Sequence, residues 1–339
     1  MRYIQQTCLC ISLVLAGDAI ARAQNTPLIS GGGGFISTTN AGHTFLQPVI
    51  APVAVVPLGP HLQVESRADL RGLYQRKNGD GPYEGNFNAT LEYLQVDYIA
   101  SSWLTISAGR YLTPFGIYNE RLTPIWVRNF QDAPLIFPLG TRTTASSNGA
   151  MARGVLFSAP RWNLSYTGYF SASSNTGQFS SGRAAGGRAS IFVPDKRLEF
   201  GASYQRFLQD THLNSVGLHL AWQPWRLPLD TRAEYAHSPA GSGYWIEATY
   251  RTPQGGNYIQ KLQPVFRMQQ FFRSKQIPGD SLPSTDTQRA DFGLNYYLPH
   301  EVRLNASYSR QFTASGNSNV WSLAATYRFL FPVRFGGKH

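Results

Sequence analysis

The chain has 339 residues, 30 of them basic and 19 acidic, and only 14% carry charge, against about 25% in an ordinary soluble domain. Of the basic residues 25 are arginine and 5 lysine, the opposite of a surface built for solubility. Cys8 and Cys10, the only cysteines, sit in the N-terminal segment, so the rest of the chain is excluded from disulfide and cysteine chemistry.

Arg2, the apolar stretch from Cys8 to Ile20, and Ala21-Arg22-Ala23 before Gln24 read as a secretory signal peptide over residues 1–23. The remainder, 24–339, reads as one domain without internal repeats. Loss of Arg2, Arg22 and Asp18 leaves 28 basic and 18 acidic residues, a net charge of +10. No later segment reaches 18 uninterrupted apolar residues, and the richest run, Val49 to Leu58, is broken by Pro52 and Pro57. What recurs is alternation over about ten residues between turn signals, the pattern of a transmembrane β-barrel.

The glycine-rich piece Ile29 to Thr38 is the weakest strand candidate. Counting from Phe45 gives about fifteen strands, and a bacterial barrel needs an even number, so this piece is expected to supply the sixteenth. Lying in the lumen as a plug, it would leave fourteen. The fold expected is therefore all-β, a closed antiparallel transmembrane barrel of about 16 strands. Alternation is cleanest in the second half. Leu198, Phe200, Ala202 and Tyr204 oppose Glu199, Gly201, Ser203 and Gln205; Val216, Leu218, Leu220 and Trp222 oppose Ser215, Gly217 and His219. Leu304 opposes Asn305, and Leu323 opposes Ser322. The wet face holds Ser, Thr, Gly, Asn and Arg rather than the Lys and Glu of a sandwich exterior.

Tight turns at Leu58-Gly59-Pro60, Ser101-Ser102, Ala159-Pro160, Pro194-Asp195-Lys196, Pro224-Trp225 and Pro299-His300 are expected to alternate with long loops at 77–85, 117–150, 173–182 and 274–285. Phe207 to Asn214 is the least regular loop. The short turns are assigned to the periplasmic side.

The stretch from Leu104 begins as a strand, Leu104, Ile106 and Ala108 against Thr105, Ser107 and Gly109. It turns at Thr113-Pro114-Phe115-Gly116 and continues as a loop, Ile117 to Ala150, too long for an ordinary connection and so read as narrowing the barrel. Trp126, Phe130, Leu135, Ile136 and Phe137 would pack it against the wall, and Arg128 and Arg142 would project into the narrowest section. On the wet face arginines recur: Arg67, Arg71, Arg188, Arg232, Arg251, Arg267, Arg289, Arg303 and Arg328, joined by Arg121 in the loop. As a set they are expected to line a pore that attracts anions. The competing reading has each bracing the wall against an acid such as Glu65, Asp69, Glu234, Glu247 or Asp291.

The segment Gly109-Arg110-Tyr111-Leu112-Thr113-Pro114-Phe115-Gly116, followed by Asn119-Glu120-Arg121, resembles the G-R-x-x-x-P-F-G segment of the phosphate-selective porin O and P family and related outer-membrane porins. The resemblance implies a sixteen-stranded anion channel, usually a homotrimer, with an inward-folded loop and an arginine-lined eyelet. With five lysines the chain offers no counterpart to a lysine-rich eyelet, and it runs on past Phe329 and Phe331 to His339.

The seven histidines show no ligand spacing, and no local signature of a hydrolase or other enzyme is present, so neither metal, cofactor nor catalysis is expected. Inward-facing arginines do not suit nucleic-acid binding. The partners expected are outer-membrane lipid, small anionic solutes such as phosphate or other oxyanions, and the barrel assembly machinery. The alternative is a surface barrel with a closed lumen that acts through its loops as an adhesin or structural element.

Overall fold

Sixteen antiparallel strands close on themselves, each paired with its sequence neighbours and the last with the first. The computed structural model describes residues 26–76, 81–141, 145–209, 212–252, 256, 258–277 and 280–332, so the expected signal peptide lies outside the described residues. The strands are β1 (Leu28–Asn40), β2 (His43–Pro57), β3 (Leu62–Arg76), β4 (Tyr83–Ser101), β5 (Leu104–Leu112), β6 (Ser146–Ala159), β7 (Trp162–Ala172) and β8 (Ala184–Val193). They continue as β9 (Leu198–Phe207), β10 (Asn214–Trp222), β11 (Leu229–Ser238), β12 (Gly241–Tyr250), β13 (Leu262–Arg273), β14 (Thr287–Tyr297), β15 (Val302–Thr313) and β16 (Gly316–Pro332).

The period of two sorts the side chains as the sequence implies. Phe200, Leu218, Ile246, Phe292 and Leu323 point outward and are exposed, while Ser203, Glu247, Asp291, Asn305 and Ser322 are buried inside. Exposed aromatics ring both rims of this apolar belt, with Tyr204, Phe272 and Phe312 at one end and Trp222, Trp225 and Tyr250 at the other. An apolar exterior bounded by aromatic girdles is the outside of a barrel that lipid surrounds. Closure also removes the unpaired strand edges that a bilayer cannot satisfy.

The glycine-rich piece is strand and not plug. Over thirteen residues β1 pairs β16 from Leu28↔Pro332 to Asn40↔Val320, and pairs β2 on its other side. Its glycines permit close approach: a Cβ on Gly31 would lie 2.3 Å from the Ala51 carbonyl oxygen, and one on Gly32 2.5 Å from the Trp126 ring. Sequence pattern alone leaves such a segment ambiguous, because its side chains carry no alternation.

The strict alternation of turns and loops does not hold. Three connections on the long-loop end are two-residue turns, at 41–42, 239–240 and 314–315, while the connection at 251–261 on the opposite end is long. The loop after β5 is also shorter than expected, since β6 begins at Ser146 rather than after Ala150. The last five positions read as loop are Ser, Asn, Gly and Ala, weak strand formers held in place by pairing of β6 with β5 and β7.

Closure rests on the terminal pair, in which Tyr327 faces Gly33 and Phe329 faces Gly31, with the rings of Tyr327, Phe329 and Phe331 in sequence along β16. Replacing Tyr327 and Phe329 together by Asp is expected to leave the protein undelivered to the outer membrane. Membrane fractionation reads the outcome, and normal delivery would contradict a closing role for this strand end.

Candidate functional site: the lumen and its loop

The loop that follows β5 folds into the barrel over residues 113–141, and the motif that starts it places its residues for mechanical reasons. Gly109 has φ +123, and a Cβ there would lie 2.5 Å from the Leu94 carbonyl oxygen. Arg110 points away from the lumen. Its Nε donates to the Leu91 carbonyl oxygen at 2.8 Å and its Nη1 to Asn148 Oδ1 at 2.9 Å, beneath the Phe179 ring. Phe115 lies against Gly217 of β10, where a Cβ would come within 2.9 Å of the ring. Gly116, at φ +65, turns the chain inward beside Glu234, and a Cβ would lie 2.4 Å from the carboxylate.

Glu234 of β11 receives the loop. Its carboxylate accepts the backbone N–H of Ile117 and, at 2.9 Å, that of Tyr118, while Trp245 Nε1 donates to its other oxygen at 3.0 Å. The bracing reading would give Glu234 an arginine; the inward turn gives it backbone donors instead. A five-residue helical turn, Tyr118–Leu122, follows. Apolar side chains then cover the wall in two places. Phe115, Tyr118, Ile136 and Leu139 bury against Ala236, Trp245 and Phe271, while Ile125 and Trp126 pack on Ile36, Val49 and Ala324. Leu135 and Phe137 join the first cluster and Phe130 lies under Arg267, so all five residues expected to seat the loop do so.

The arginines divide by what they hold. Arg303 donates to the Ile125 carbonyl oxygen at 2.7 Å, and Arg188 to the Gly116 carbonyl oxygen at 2.7 Å while paired with Glu120 at 2.6 Å. Arg67 pairs with Glu92 and reaches Thr123 Oγ1 at 2.9 Å. At the far end Arg267 binds Asp291 at 2.8 Å and the Asp132 carbonyl oxygen at 3.1 Å, stacked 4.6 Å over Phe130. Arg289 bridges Asp132 at 2.5 Å and Asp291 at 2.6 Å. These five pin the loop to the wall, so for them bracing describes the geometry better than open pore lining.

Arg121 reaches Glu199 at 2.8 Å, Arg71 pairs with Asp69 at 2.8 Å, and Arg232 with Asp230 at 2.6 Å. Arg251 stacks 4.5 Å over Tyr297, and Arg328 comes within 3.9 Å of Glu301 at the turn end, both away from the loop. Arg142 lies outside the described residues. Of the acids expected as braces, Glu247 takes the Asn129 amide at 2.7 Å and lies 3.9 Å from Arg267, and Glu65 takes Gln63.

Arg128 differs from the rest. It is buried in the loop, and among the described residues its side chain makes no hydrogen bond or ion pair; its Nε and one Nη are enclosed without a partner. Burial holds its guanidinium below the ordinary arginine range; Arg71 adds to the shift, while Tyr118, Asp132 and Asp69 oppose it. Arginine stays protonated nonetheless. Arg71 and Asp69, with Gln47, Leu73, Asn88 and Thr90, border an open recess of about 350 Å³ on the lumen side of β2, β3 and β4.

Sequence reasoning passed over the neutral anchors. Asn305 donates to the Asn129 carbonyl oxygen at 3.1 Å, Gln269 accepts the Leu135 N–H at 2.9 Å, and Ser203 and Ser215 bond Gly116 and Leu139. Their signal was the unusual share of Asn, Gln and Ser on inward positions beside an apolar loop. His219, an expected lumen position, sits inside against Glu199 and Ser190 at 3.4 and 3.3 Å.

This closed sixteen-stranded barrel has counterparts among solved structures. Its fold is that of the outer-membrane porins. Salmonella typhi OmpF superposes with a TM-score of 0.56 at 15% identity, over 89% of this chain and 97% of that one. The anion-selective porin from Comamonas acidovorans gives 0.54 at 12% identity, over 90% and 98%. A mutant of the Rh. blastica porin gives 0.54 at 12%, over 89% and 100%. No protein-family model matches the sequence, and no curated protein matches it.

Proposed function

We propose that this protein is a passive diffusion channel of the outer membrane that favours small anions. The observation that carries the reading is Arg128, a cation that makes no ion pair among the described residues, on a loop seated inside the barrel and within electrostatic reach of Arg71, Asp69 and Asp132, the first two beside the open recess. Fixed positive charge at a narrow, partly desolvated passage raises the local concentration of anions and repels cations. Because the charges are guanidinium forks, oxyanions such as phosphate match their geometry better than halide does. In this reading residues 1–23 are removed as a secretory signal, the barrel assembly machinery inserts the chain, and a homotrimer forms in the lipid.

Planar-bilayer recording across a salt gradient tests the proposal. The wild-type reversal potential is expected on the anion-favouring side, and replacing Arg71 and Arg128 together by Gln is expected to move it toward cations without closing the pore. A cation-favouring wild type would refute the anion preference. A correctly folded barrel with no conductance would instead support a closed surface barrel acting through its loops.

A further inference from the structure

His219 is the one buried histidine among the described residues, and passive diffusion gives it nothing to do. On β10 it stands inward between Gly201 of β9 and Glu234 of β11, its register partners on either side. The imidazole lies across Gly201, where a Cβ would come within 2.5 Å of Cε1 and 2.8 Å of Nε2, so glycine is what admits the ring there. Crossing the glycine brings Nε2 to Glu199 Oε1 at 3.4 Å and to Ser190 Oγ at 3.3 Å. Nδ1 is enclosed and, among the described residues, has no hydrogen-bond partner.

Glu199 serves two elements at once. While one oxygen faces the imidazole, the other accepts from Arg121 Nη1 of the loop at 2.8 Å. The Arg121 side chain is 41% exposed and that of His219 fully buried, so the carboxylate stands between a lumen cation and an enclosed ring. The other described charges around the ring are engaged elsewhere. Arg188 of β8 is paired with Glu120 of the loop at 2.6 Å, and Glu234 of β11 accepts the N–H groups of Ile117 and Tyr118 and of the Trp245 indole. Imidazole is the side chain that ordinarily changes charge between about pH 5 and pH 8. While it is neutral, Glu199 cancels much of the Arg121 charge that a passing ion meets; once protonated, the ring claims the same carboxylate and leaves that charge uncovered.

We infer, on the reading of the protein as an anion-favouring channel, that His219 is a specificity-determining residue: its protonation draws Glu199 from Arg121 and strengthens the preference for anions in acid. One added unit charge acting through water at about 8 Å changes the local concentration of a monovalent ion roughly twofold, upward for an anion and downward for a cation, so the permeability ratio is expected to rise about fivefold. Reversal potentials in planar bilayers under one fixed potassium chloride gradient, taken from about pH 8 down to about pH 5, measure it. Wild type is expected to show the rise. His219→Gln, which keeps an amide donor toward Glu199 but cannot titrate, is expected to give one ratio over the whole range. Glu199→Gln, which leaves Arg121 uncovered at every pH, is expected to hold a high, flat ratio. A wild-type slope retained in His219→Gln would place the titrating group elsewhere and overturn the inference, as would a flat wild-type profile. Should His219→Gln fail to assemble, His219→Asn makes the same comparison. A wild type that favours cations at pH 8 yet shifts by the same factor, with the shift lost in His219→Gln, would refute the anion reading and still support the role of His219.

Discussion

Leu218→Arg and Leu323→Arg are each expected to destabilise the barrel by about 2–4 kcal/mol, the cost of a cation on the lipid face at mid-membrane depth. Both side chains are among the most outwardly exposed, at 59% and 63%, and lie mid-strand in β10 and β16. The informative control is an inward position beside open space. Alternation alone would nominate the adjacent Gly217, Asn305 or Ser322. Gly217, however, touches Phe115 of the loop, Asn305 is bonded to Asn129 and Asn295, and Ser322 to Thr38. Thr90, on the border of the recess between β2 and β4, is the better comparison, and Thr90→Arg is expected to assemble normally. Heat-modifiability on gels and urea unfolding in liposomes measure the difference. Equal loss at Leu218 and Thr90 would mean that the exterior is not a lipid face.

The barrel was legible because its one requirement, apolar outward and polar inward, imposes a period of two that survives in nearly every strand. Phe200 against Ser203 or Leu304 against Asn305 needs no tertiary knowledge to assign. The first strand was harder to see, because Gly31 to Gly34 serve close backbone approach and leave no side-chain pattern. Which arginines face open water was not legible at all. Arg267 and Arg71 read identically along their strands, yet Arg267 lies under the loop against Asp291 and Arg71 borders the recess. The difference is set by where a distant segment lands, and no local period encodes that. The motif from Gly109 to Gly116 carried real information of another kind. Its glycines mark the positions at which the chain passes close to Leu94 and Glu234.

Removing residues 124–140 is expected to raise single-channel conductance while leaving the barrel assembled. The sixteen-stranded ladder runs through none of these residues, and the wall pairs Arg267 with Asp291 and Arg67 with Glu92 remain, with water in place of the loop. What disappears is the cross-section filled by Ile125, Trp126, Phe130 and Ile136. A single change at the entry to the loop should act in the same direction by a defined route. Glu234→Ala leaves the N–H groups of Ile117 and Tyr118 and the Trp245 indole without their acceptor, at about 1–3 kcal/mol for each buried donor left unpaired. The far anchors at Asp132, Leu135 and Leu139 stay intact, so the loop is expected to fluctuate about its distal attachment rather than leave the lumen. The recording should then show added current noise and brief larger-conductance events, in contrast to the steady increase from the deletion. Unchanged conductance after deletion would mean that the loop does not set the width of the pore.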